Sequence, residues 1–149
     1  MSVNVLFLCD DNARLSPMAE AYLNVDPSRG LRAFSAGLSP APDLAEGVGK
    51  TLAAHGLPLT GLQPKSWRLF TLPHAPVPDV VVGLTPAALV ATTRAWPAHT
   101  RLVDWGLGTR ATTLVGREAL RDAFHEIRRR INRAIDEQSF RHSGFRRIA

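Results

Sequence analysis

The chain has 149 residues, 45% of them hydrophobic and 21% charged, which fits one globular domain with one core and argues against disorder. No apolar run reaches the roughly 18–20 residues of a membrane-spanning helix, and the start, Met1-Ser2-Val3-Asn4, has no basic leader or cleavage site. The single cysteine, Cys9, excludes an internal disulfide and fits a reducing compartment, so a cytoplasmic location is expected.

The net charge of +5 is carried almost wholly by arginine, Lys50 and Lys65 being the only lysines. Such a balance fits an acidic partner. It fits equally well an arginine-rich, alanine-rich genome, and because the basic residues concentrate in the last helix and the tail, a solvated face is the favoured reading.

Residues 3–8, apolar except for Asn4 and with β-branched members, have the pattern of a strand buried on both faces. Cys9 ends it, and Asp10-Asp11-Asn12-Ala13-Arg14-Leu15-Ser16 reads as a loop. A helix follows over 17–23, with Ser16 as N-cap and Pro17 at its first position. Residues 31–36 read as a second strand closed by Gly37. A helix is expected over 43–55, with Leu44, Val48 and Leu52 inward and Gly56 ending it. Residues 56–78, rich in proline and turn formers, read mostly as loop.

A third buried strand spans 79–84, and Thr85-Pro86 opens a helix to about Ala95. Residues 101–104 form a short fourth strand. In the last helix Leu120, Phe124, Ile127, Ile131 and Ile135 recur at spacings of three and four. Alternating strands and helices imply a parallel sheet covered on both faces, within one domain over 1–149. In such sheets ligands bind beyond the carboxyl ends of the strands, where Cys9 stands.

A strand, a short loop and a helix N-terminus gather unpaired N–H groups and the positive end of the helix dipole, a setting for an anion. A cysteine there becomes a nucleophile with a lowered pKa. The plain alternative is a small hydrophobe ending a strand.

Val5-Leu6-Phe7-Leu8-Cys9, Asn12 and Ser16-Pro17-Met18-Ala19-Glu20-Ala21 together resemble the opening of the low-molecular-weight protein tyrosine phosphatases and the arsenate reductases related to them. Phe34-Ser35-Ala36-Gly37, Asp79-Val80-Val81-Val82 and Asp104-Trp105-Gly106-Leu107 resemble later elements of that family in its order. The resemblance implies a three-layer α/β fold with four parallel strands in the order 2-1-3-4. It makes Cys9 the nucleophile, Ser16 its neighbour, and Asp10, Asp11, Asn12, Ala13, Arg14 and Leu15 the phosphate-binding loop.

The sequence departs from the family where the chemistry is heaviest. Leu15 occupies the place of the arginine that clamps phosphate oxygens, and leucine cannot donate a hydrogen bond. Asp11 takes the place of a glycine, and Asp10 and Asp11 together should repel phosphate and raise the thiol pKa. Where the family has Asp-Pro as general acid, this chain reads Gly108-Thr109-Arg110, and Asp104 precedes Trp105 as a strand end. The two further cysteines of a thioredoxin-linked relay are absent.

The expectation is therefore a catalytically impaired homologue, a small phosphate-like oxyanion being its implied ligand and a protein partner being left open. Two alternatives stand beside it. In one, an active phosphatase or external-thiol-linked arsenate reductase uses Arg14 as the clamp. In the other, Arg128, Arg129, Arg130, Arg133, Arg141, Arg146 and Arg147, with Phe140 and Phe145 among them, bind an acidic partner. No nucleic-acid motif accompanies them, so nucleic acid is not the expected partner. Trp67, Trp96 and Trp105 read as packing residues, Trp105 also being a candidate for the site's mouth. His55, His74, His99, His125 and His142 show no metal spacing, and nothing implies a cofactor.

Overall fold

A computed structural model of the chain describes residues 2–107 and 116–141. Strand β1 (Val3–Cys9) lies at the centre of a four-stranded sheet, between β2 (Leu31–Gly37) and β3 (Val80–Gly83), and β4 (Arg101–Asp104) pairs outside β3. All three pairings are parallel, and the strand order is the expected 2-1-3-4.

The alternation of β1 decides the layers, because successive side chains point to opposite faces. Val5, Phe7 and Cys9 join Val80 and Val82 under α1 (Leu15–Leu23), α2 (Val48–Ala53) and α4 (Arg117–Asp136). Leu6 and Leu8 join Val81 and Leu102 on the other face, under α3 (Pro86–Thr92), with Ala88, Leu89 and Trp96. Each fully buried Phe or Leu contributes about 1.5–3 kcal/mol. On α4 the inward stripe is Leu120, Phe124, Ile127, Ile131 and Ala134, while the expected Ile135 is only partly covered.

Two helix starts differ from expectation. Helix α1 begins at Leu15 with Arg14 as N-cap, so Ser16 lies inside the first turn, where its hydroxyl serves Cys9 and Asn12 rather than a cap. Pro17 still fits there, because first-turn N–H groups lack intrahelical partners. Helix α2 begins only at Val48, because Gly47 at φ 92° sets a left-handed N-cap that 43–46 cannot continue through. Its inward residues are Val48 and Leu52, with Leu44 packed against the core, and the helix ends before Gly56 as expected. The helix after Thr85 tightens into a 3-10 turn at Thr93–Ala95, and residues 56–78 hold a second such turn at Trp67–Thr71.

No helix among the described residues is long and apolar enough to cross a membrane.

Candidate active site

The loop from Asp10 to Arg14 joins β1 to α1 at the carboxyl edge of the sheet. Its carbonyls are tied to the segment after β2. Those of Cys9, Asp10 and Asp11 accept from the N–H groups of Leu38, Ser39 and Ala41 at 3.2, 2.8 and 2.9 Å, and that of Ala13 accepts from Ala45 at 2.9 Å.

Asn12 is the pivot. It is fully buried at φ 51°, a left-handed conformation that asparagine tolerates better than most residues. Its Oδ1 accepts from the Lys65 N–H at 2.9 Å, and its Nδ2 donates to Ser16 Oγ at 2.7 Å. The Ser16 hydroxyl thereby has its own proton free for Cys9 Sγ, 2.9 Å away. This chain of donors, Asn12 to Ser16 to Cys9, favours a thiolate.

Gly37, opposite Cys9 in the β1–β2 register, leaves room for the turn. A Cβ there would stand 2.8 Å from Asn12 N and 3.0 Å from the Asp11 carbonyl carbon. Because the obstacle is backbone, Gly37→Ala is expected to cost about 1–3 kcal/mol. Denaturant midpoints would measure this, and an unchanged midpoint would contradict the close approach.

The two adjacent carboxylates part company. Asp10 turns toward β3 and accepts from the buried Thr85 hydroxyl at 2.9 Å. Asp11 folds back over the loop: its Oδ1 accepts from the Ala13 N–H at 3.0 Å and from the Cys9 thiol at 3.8 Å. Of the pair expected to oppose an anion, only Asp11 therefore faces the sulfur. Arg14 lies 3.8 Å from the other Asp11 oxygen, its side chain about one-third exposed. Leu15 is 2% exposed and belongs to the core under α1, α2 and α4.

Burial pushes the Cys9 thiol pKa up, and the Asp11 charge pushes in the same direction, against the lowering effect of Ser16 and of the N–H groups nearby. Sequence reasoning placed Cys9, Asn12 and Ser16 together. It could not see that Lys65, some fifty positions on, anchors Asn12 through its backbone, because no side-chain pattern marks such a donor.

Trp105 is buried between Phe7 and Phe140, and its carbonyl accepts from Arg130 at 2.8 Å, so it packs in the core as expected. Trp67 and Trp96 stack edge to face under the opposite sheet surface. Asp104 Oδ1 accepts from the Gly106 N–H at 2.8 Å, a local turn at the strand end. Thr109, Arg110, His142, Phe145, Arg146 and Arg147 lie outside the described residues. Among those described, no group of His, Cys, Asp or Glu has the arrangement of a metal site.

A parallel 2-1-3-4 sheet with a cysteine loop leading from its first strand into a helix defines the low-molecular-weight phosphatase fold. The family model of the low molecular weight phosphotyrosine protein phosphatases matches residues 4–105, well over half of the chain, and the chain belongs to that family.

Solved structures agree on the fold. An arsenate reductase in the phosphate binding state is 20% identical with a TM-score of 0.71, covering 91% of this chain and 98% of its own. The arsenate reductase from Archaeoglobus fulgidus is 25% identical with a TM-score of 0.67, covering 89% and 98%. The tyrosine phosphatase Wzb from Escherichia coli K30, in complex with sulphate, is 17% identical with a TM-score of 0.69, covering 93% and 99%. No curated protein sequence matches significantly.

Proposed function

We propose that this chain is a catalytically impaired family member that serves as an oxyanion-binding or regulatory protein and not as an efficient phosphatase or arsenate reductase. The observation that carries the impairment is the position of Asp11, which also opposes tight oxyanion binding unless that carboxylate is displaced. Its carboxylate takes the Ala13 N–H and approaches the sulfur, so the loop already holds a negative charge of its own where an oxyanion would compete for the same donor. Two further features support it. Leu15 points into the core and has no donor to offer, and Arg14 has Asp11 as its ion-pair partner. The second fact weighs only lightly against Arg14 as a substitute clamp, because a part-exposed pair at 3.8 Å is worth at most about 1 kcal/mol. Two similar proteins were solved with phosphate and sulphate, which makes small oxyanions the ligand class to test.

The thiol is the direct readout. With its pKa raised, Cys9 should stay protonated at neutral pH, and the rate of alkylation by iodoacetamide should climb only above the ordinary thiol range of about 8.5. Asp11→Asn removes the charge and should move that profile toward lower pH. A wild-type profile with an apparent pKa at or below about 6 would overturn the reading, since it is the mark of an activated nucleophile.

A further inference from the structure

A groove runs between α2 and α4, starting at Arg14, the last residue of the cysteine loop, and leading away from Cys9. Its two connected hollows, of about 480 and 300 Å³, share Lys50 and Arg117. The first begins beside Arg14, and the second continues past Arg121 to His55. Along α4, Arg117, Arg121, His125 and Arg128 follow one another at spacings of four, four and three, which keeps them on one side of the helix.

These cations are not balanced as their neighbours are. On the adjoining side of α4, Arg129 and Arg130 pair with Glu126, and Arg133 pairs with Glu137, all within 3.2 Å. Among the described residues, Lys50, Arg117, Arg121 and Arg128 form no such pair; Arg128 instead meets His125 at 2.8 Å and His55 at 3.4 Å. Neither 108–115 nor 142–149 contains an aspartate or glutamate, so no acidic side chain can come from there. Glu46, at the Arg14 end, is the one acid lining either hollow. Burial, then the charges of Arg128 and His125, depress the His55 pKa, as expected where positive groups are gathered without a counter-charge.

We infer that the α2–α4 groove is a docking site for an acidic segment of a protein partner, whose carboxylates supply the missing counter-charges. From Arg117 to Arg128 the stripe extends for about 16 Å, the reach of roughly five extended residues. A concave channel between two helices receives a single chain and not a duplex. A single-stranded nucleic acid would want open aromatic faces to stack on, whereas Phe124, the ring beneath Arg128, is fully buried. The inference does not depend on the chemistry at Cys9.

The test uses the full chain and a fluorescein-labelled oligoglutamate peptide, with binding followed by fluorescence anisotropy at low and high salt. Arg117→Glu with Arg121→Glu should weaken binding by roughly tenfold or more, whereas Arg129→Glu with Arg133→Glu, of equal net charge, should leave it within about twofold. Arg121→Gln, a milder change on an exposed side chain, should weaken it by a few-fold, and thermal melts would confirm that each variant is folded. Equal losses from both double variants would reduce the effect to diffuse net charge and overturn the inference. So would an absence of binding, or tighter binding of a labelled oligothymidylate that the groove variants abolish.

Discussion

Hydrolysis of an aryl phosphate by the purified 149-residue chain is expected to stay below about 1 s⁻¹, the lower edge of ordinary enzyme turnover. Thioredoxin-coupled arsenate reduction should be undetectable. In-line attack needs the phosphoryl oxygens held by fixed donors while charge moves onto them, and removing one such donor costs about 3–4 kcal/mol, or roughly 100–1000-fold. Leu15 supplies no donor, and its side chain is committed to the core. A second loss is expected in the nucleophile, because burial and then the Asp11 charge push the Cys9 thiol pKa up, against activation as a thiolate. A third is expected from the resemblance, by which Thr109 falls where the family carries its acid aspartate, and losing a general acid costs about another 100-fold. The arsenate reaction also lacks the two extra thiols that would pass on a disulfide. Steady-state assays with p-nitrophenyl phosphate would measure the first activity. Turnover at or above about 1 s⁻¹ would return Arg14 to the centre of the mechanism.

The sheet was legible because its central strands are buried on both faces, so that Val5-Leu6-Phe7-Leu8 and Val80-Val81-Val82 stand out as apolar runs. The strand order came through the resemblance, and β4 needed only its short run before Trp105. Helix α2 was less legible because its first turn is decided by the left-handed Gly47, which a periodic pattern of Leu44, Val48 and Leu52 runs straight across. Within the loop, residue types were readable and directions were not. Asp10 and Asp11 are adjacent in sequence and equal in charge, yet Thr85 draws one outward while the Ala13 N–H draws the other over the sulfur. The basic character of the last helix was plain from composition. Its division into a paired side and an unpaired groove depends on Lys50 and His55, which come from α2 and its end, far away in the chain.

Restoring the missing arginine alone should make the protein less stable before it makes it more capable. Leu15 is 2% exposed and counts among the core residues, so Leu15→Arg removes buried leucine volume and demands that a guanidinium either stay in an apolar cluster or turn out toward the loop. A loss of about 2–4 kcal/mol is expected, read as a lower midpoint in urea. Inorganic phosphate should recover little of it, because Asp11, which lies beside the Cys9 sulfur and near Arg14, would compete for the new arginine. Adding Asp11→Gly changes the balance. It removes that competitor, releases the Ala13 N–H, and lets phosphate act as a ligand of the folded state alone, so the midpoint should then rise with phosphate concentration. Turnover should appear only when Thr109→Asp is added as well, and by more than the separate changes predict, since clamp, cradle and acid act as one unit. A single Leu15→Arg variant that kept its urea midpoint and gained phosphate-dependent stabilisation would show that neither the core position of Leu15 nor the charge of Asp11 governs this loop.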